Sequence, residues 1–223
     1  MTKQADFDGI SNQLWDTELR ELRDLWTTYN YLYVEDSERA EKLWNPRWGG
    51  FFWSRVRGWM VSEIILTISR LTDPPEVGER RNLTLEALLD DPRLPDKLER
   101  KLRCVLKTSR KSVEKIRKHR NRVVAHRDER TALGQDPLPG LDVRQIRDVI
   151  SGLEDVHRKH RGACMGSHVG EYGTHTHGGV ESLFRRLEQS ERASSIFAHA
   201  NRSVDGKLRD WDRARRVFFP IGA

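Results

Sequence analysis

Disulfide chemistry has little to work with here. Of 223 residues only Cys104 and Cys164 are cysteines, too few and too far apart for a secreted disulfide framework, so a reducing, cytoplasmic setting is expected. Long apolar runs are missing too. The most apolar-leaning stretch, Phe51 to Leu71, is broken by Arg55, Arg57, Glu63 and Arg70, too many charges for a membrane span. The opening Met1-Thr-Lys-Gln-Ala-Asp-Phe-Asp lacks the apolar centre of a signal peptide. There is no phosphate-cradling glycine loop, no HExxH pair and no nucleophilic-serine motif, so the nucleotide, zinc-protease and serine-hydrolase classes lose their signatures. No βαβ alternation and no internal repeat is present, which excludes a parallel sheet or a solenoid.

What is there is charge. Hydrophobic residues make up 36% of the chain and charged residues 33%, a balance that suits helices with one buried stripe and broad solvated faces. Residues 1–96 hold 12 basic and 18 acidic side chains, residues 97–130 hold 14 and 4, and residues 131–223 hold 14 and 12. The positive surplus therefore sits in one segment. A focused basic patch attracts polyanions, although a charge run also serves as a plain solvated helix face.

Apolar spacing predicts a helix from Ile10 to Tyr33, a short one from Ser37 to Leu43 capped by Ser37, and a central, most buried one from Phe51 to Thr72. Asn45-Pro46 and Asp73-Pro74-Pro75 stop the second and third. Residues 76–82 read as a polar loop and Leu83 to Leu89 as a short helix. A long basic helix follows from Lys97 to about Arg127, with Thr108-Ser109 a possible break. Asp142 is placed to cap a helix that Gly162 ends. Residues 162–179, rich in Gly and His, read as a loop, with helices expected over Val180–Ala200 and Lys207–Arg216. Six of the seven tryptophans precede residue 60 and read as core and interface anchors rather than a ligand cage. The expected division is a bundle over residues 1–161 and a C-terminal helical extension over residues 162–223.

Chemistry concentrates in Arg120-Asn121-Arg122-Val123-Val124-Ala125-His126. At about 100° per residue, Arg120 falls roughly 20° from Val113 and 40° from Ile116. It therefore lies on its helix's apolar stripe, where a charge is costly unless paired or facing a site. His126 falls about 120° away from Arg120 on an ideal helix, so convergence requires a loosened turn or a second chain. Arg122 and His126, at i and i+4, do share a face, leaving two possible Arg/His pairs.

Arg120-Asn121 followed by Ala125-His126 and Asp128 resembles the Arg-x(4–6)-His motif of HEPN proteins. Tyr29-Asn30-Tyr31-Leu32-Tyr33 and Ile68-Ser69-Arg70-Leu71-Thr72-Asp73-Pro74 resemble the abortive-infection, AbiU-like branch, over about residues 10–160. The resemblance implies an all-α, HEPN-like helical bundle that dimerises and brings two motifs into one cleft. It implies RNA cleavage without metal or cofactor, by attack of the 2′-hydroxyl on the neighbouring phosphate. It also implies an RNA partner, a second copy of the chain and an antitoxin or regulatory protein. The residue types suit that reaction. A guanidinium holds phosphoryl oxygens, and histidine moves protons near neutrality. Two His126, one per chain, supply a base and an acid. Asn121 orients the phosphate, holds His126 or caps the helix. Some HEPN toxins carry, just past the histidine, a tyrosine that a partner nucleotidyltransferase modifies; here Arg127 and Asp128 stand instead.

Catalytic candidates are thus Arg120, Asn121 and His126, with Arg70, Asp73, Arg122 and Asp128 in support. Glu63, Thr67, Arg70 and Asp73 form a polar stripe that either supports the cleft or faces water. His168, His175 and His177 have a zinc-like grouping but read as solvent-exposed loop residues, and no metal is assigned. The alternative function is a non-catalytic helical module that binds nucleic acid or a partner protein through residues 97–130.

Overall fold

The computed structural model describes residues 6–45, 49–124, 129–136 and 138–166, together with Arg185, Arg186, Glu188, Gln189 and Arg192. Two units divide the chain, Met1–His175 and Thr176–Ala223. Of the second, the five described residues are helical. His126, Asp128, Trp48, His168, His175, His177 and most of the expected C-terminal helices lie outside the described residues.

Among the described residues, the first unit is all-α apart from one hairpin of two-residue strands. The stripe predicted over Ile10–Tyr33 folds as α1 (Phe7–Gln13), a π-turn (Leu14–Leu19) and α2 (Arg20–Tyr33) in unbroken succession. Asp6 caps its start by accepting from the Gly9 amide. Helix α3 (Ser37–Trp44) is capped by Asp36, not Ser37, because the aspartate accepts from the Arg39 amide at 3.0 Å. Helix α4 (Gly50–Thr72) packs on α2, α3 and α5. Its buried residues cluster from Met60 onward, whereas Phe51 is 77% exposed and Trp59 60%. This helix holds more buried residues than any other described helix, as expected of the central one, and most of them lie in its second half.

Strands β1 (Glu76–Val77) and β2 (Arg80–Arg81) pair antiparallel where a loop was expected, turning through Gly78 at φ +61°. The predicted short helix is a 3₁₀ turn, Glu86–Asp90. Helix α5 (Asp96–His119) runs straight through Thr108 and Ser109. Both hydroxyls donate back to the carbonyls of Cys104 and Val105, so neither competes to break the helix. Its acidic first turn and its last turn of Arg117, Lys118 and His119 complement the helix dipole. A π-turn, Arg120–Val124, continues it, and α6 (Glu129–Ala132) follows. Asp142 caps α7 (Val143–Cys164) through the Arg144 amide. This helix passes Gly162 and ends two residues later.

One core joins these elements. Leu22, Ile68, Leu71, Leu88, Leu102, Ile116 and Leu153 are essentially water-free. Trp26 and Trp53 are buried, while Trp44 and Trp59 are exposed. Arg23 on α2 clamps Glu154 on α7 with two nitrogens at 2.8 and 3.0 Å.

Candidate functional site

The end of α4 and the end of α5 meet through charge. Pro74 and Pro75 forbid α4 to continue, and Asp73 takes extended backbone as its C-cap. Its carboxylate faces α5, where Val113 and Ile116 are buried and the next residues on that side are cationic. Arg120 Nη1 donates to both oxygens of Asp73, at 3.2 and 3.1 Å. Arg117 Nη2 lies 3.5 Å from the same carboxylate and also donates to the Thr72 carbonyl. Two guanidiniums on one carboxylate leave a net positive charge. None of the three is sealed from water, since Arg120 is 24% exposed and Asp73 29%.

The local backbone is unusual. Over Arg120–Val124 the hydrogen bonds widen to i→i+5, so ideal-helix angles stop applying at the residue where the Arg/His separation was reckoned. Asn121, exposed, accepts from Arg120 Nε at 2.9 Å. Of the three guanidinium nitrogens of Arg120, Nε is thus held by Asn121 and Nη1 by Asp73. Nη2 has no partner among the described residues.

The other sequence candidates lie apart from this pair. Arg70 turns to Glu18, Glu63 and Thr67, at 2.9–3.1 Å, so the polar stripe of α4 divides. Its upper members serve Arg70 and only Asp73 serves Arg120. Arg122 pairs with Asp136 at 2.7 Å. His119 was not singled out from the sequence; its Nε2 meets the Pro139 carbonyl at 2.5 Å, a contact between residues twenty apart that helical periodicity does not reveal.

Beside the Arg117–Asp73 pair opens a cavity of about 340 Å³. Leu71, Leu106 and Val113 contribute an apolar floor, and Arg103, Lys107 and Arg110 a cationic rim. Such a groove fits an anion that carries an apolar face. Among the described residues no helix is long and apolar enough to cross a membrane.

A second cluster also escaped the sequence reading. Asp91, His160 and Cys164 place one donor atom each within 4.8 Å of one another. His160 and Cys164 are i and i+4 on α7, a spacing visible in sequence, but Asp91 lies 69 residues before His160.

The all-α bundle is of HEPN-like type, and its sequence carries an Arg-Asn-x4-His motif headed by Arg120. More narrowly, residues 4–178 match the HEPN_AbiU2 family (AbiU2). The chain belongs to that abortive-infection family. No curated protein and no solved structure matches it.

Proposed function

We propose that the chain is a metal-independent endoribonuclease, a toxin or antiphage effector, working at a composite site of two copies. The observation that carries this reading is the guanidinium of Arg120. Asp73 and Asn121 fix two of its nitrogens, and the third has no partner among the described residues. A positioned cation that keeps a donor in hand suits a phosphoryl group gathering charge in a transition state. Arg117 adds a second positive charge at the same carboxylate.

In this reaction the 2′-oxygen of one nucleotide attacks the adjacent phosphorus and the bond to the 5′-oxygen breaks. One His126 takes the 2′-hydroxyl proton and the other, charged, delivers a proton to the leaving 5′-oxygen. The products are a cyclic phosphate and a 5′-hydroxyl. The cationic rim of the neighbouring groove tracks the RNA backbone. Exposed Phe51, Phe52 and Trp59 supply apolar surface of the kind that subunit interfaces bury.

The test is cleavage of single-stranded RNA in EDTA. Arg120→Ala and His126→Ala each abolish it, and the wild-type product carries a cyclic phosphate. Cleavage that persists in both variants defeats the reading. A second reading, a non-catalytic nucleic-acid-binding module, is favoured by the ion pair that already engages Arg120. It predicts salt-sensitive RNA binding with no cleavage at all.

A further inference from the structure

The strongest unassigned cluster sits at the far end of α7. Asp91 closes the 3₁₀ turn with a side chain fully removed from water, and His160 is equally buried. The Asp91 oxygen Oδ1 accepts from the Arg93 backbone amide and from Arg93 Nε, both at 3.0 Å. Oδ2 faces Arg93 Nη2 at 2.8 Å and His160 Nε2 at 3.0 Å. The remaining ring nitrogen of His160, Nδ1, is buried and has no partner among the described residues. Each neutral tautomer is therefore unsatisfactory. With the proton on Nε2, the Nδ1 lone pair is unused. With it on Nδ1, a buried N–H lacks an acceptor and the Nε2 lone pair opposes a carboxylate oxygen, so the ring donates from Nε2 to Asp91 and keeps the Nδ1 lone pair as a donor for a cation.

The thiol of Cys164 stands one helical turn beyond His160, on the same face. Among the described residues, the charges of Asp8 and Asp91 outnumber that of Arg93, which binds both. A divalent ion with a Cys164 thiolate brings the group to neutrality. Asp8, Asp91 and the thiolate give three negative charges, Arg93 and the ion three positive. Tetrahedral bonds of about 2.0–2.3 Å set donors about 3.3–3.6 Å apart. Donors already within 4.8 Å thus close up by a small side-chain adjustment.

We propose that His160, Cys164 and Asp91 form a binding site for a zinc-class divalent ion that fastens the end of α7 to the turn after the 3₁₀ helix. One sulfur, one imidazole nitrogen and one carboxylate oxygen select a borderline ion rather than Mg²⁺ or Ca²⁺. Water or Asp8 takes the fourth position. The thiol proton goes to solvent, so binding releases one proton and weakens in acid. The site is structural and independent of the Arg120 chemistry.

Cobalt(II) is the probe, because a cobalt–thiolate bond gives a near-ultraviolet charge-transfer band. Titration of the full-length, metal-stripped protein is expected to develop that band at one ion per chain, with Zn²⁺ abolishing it by displacement. Cys104→Ala, which removes the exposed cysteine, retains the band. Cys164→Ala loses it, and Asp91→Asn weakens cobalt binding at least tenfold. Zn²⁺ raises the melting temperature of the wild type but not of Cys164→Ala, while Cys164→Ala and EDTA-treated protein keep any RNA-cleaving activity unchanged. Absence of the band, its survival in Cys164→Ala, or zinc binding that depends instead on His168, His175 and His177 overturns the proposal.

Discussion

Asp73 holds Arg120 through a single nitrogen, Nη1, shared between its two oxygens at 3.2 and 3.1 Å. This is not the parallel two-nitrogen clamp that locks an arginine into a structural ion pair. The carboxylate restrains one edge of the guanidinium while Arg117 competes for the same charge.

Asp73→Asn therefore separates positioning from stability. A half-exposed ion pair contributes up to about 1 kcal/mol, so the melting temperature is expected to move little. If Arg120 works on phosphate, its loss of aim lowers RNA cleavage roughly ten- to hundredfold. Arg120→Lys does not substitute, because an ammonium cannot hold Asn121, Asp73 and a phosphate in one plane. A fall in activity that merely follows a fall in melting temperature assigns Asp73 a structural role.

The junction of α3 and α4 offers a test of the fold alone. Gly49 takes φ +76°, and a Cβ on Gly50 stands 2.5 Å from the Trp44 carbonyl oxygen. That neighbour is backbone and cannot swing aside. Gly50→Ala is expected to destabilise by about 1–3 kcal/mol, read by urea unfolding. Gly58→Ala, with no atom within 4 Å of its added methyl, is expected to be neutral or slightly stabilising, since alanine favours a helix interior.

Acid is expected to weaken the bundle through His157. This ring is fully buried, stacks on Trp15 and bonds Ser11. Burial, the dominant cause, pushes its pKa down from 6.5 to about 4. Between those values the unfolded chain takes up a proton that the folded one refuses, so stability rises with pH across the window. The contribution is complete above pH 6.5 and lost as pH falls toward 4, a loss of about 3 kcal/mol. Asp91, whose carboxyl the Arg93 hydrogen bonds hold well below the usual range, adds a further loss at lower pH. His157→Gln flattens the dependence between pH 6.5 and 4 in chemical unfolding; an unchanged slope assigns the acid sensitivity elsewhere.

Helix existence was legible because period-3.6 apolar stripes decide it, and Leu22, Ile116 and Leu153, each on such a stripe, lie in the core. The π-turns were not legible. Leu14–Leu19 and Arg120–Val124 keep helical composition, and one extra residue per turn leaves no compositional trace. Likewise, Arg120 on an apolar stripe announced that a partner was needed, but that Asp73 meets it while Arg70 turns to Glu18 and Glu63 depends on how the ends of α4 and α5 approach. Phe51 and Trp59, on the central helix, are exposed because hydrophobicity does not say which half of a helix has neighbours. Asp91 and His160 share no local pattern, and only the approach of α7 to the 3₁₀ turn joins them.

Affinity for RNA and its cleavage are expected to come apart along α5. Lys107 lies on the groove's rim, and it and Lys111 are exposed. Neutralising both removes cations that pair with phosphate without disturbing the core. Lys107→Gln/Lys111→Gln is therefore expected to weaken binding uniformly across RNA sequences. The slope of log K against log salt falls by roughly 0.7 for each phosphate of a single strand that is no longer neutralised, as fluorescence anisotropy at several salt concentrations measures. The melting temperature stays nearly unchanged, because surface substitutions away from buried features shift stability by about 0.5 kcal/mol or less. Arg120→Ala lies at the other extreme, reducing the slope by no more than a single phosphate's share while removing turnover. Equal effects of the two variants on slope and turnover make the basic helix and Arg120 parts of one binding surface, and the non-catalytic reading then gains the advantage.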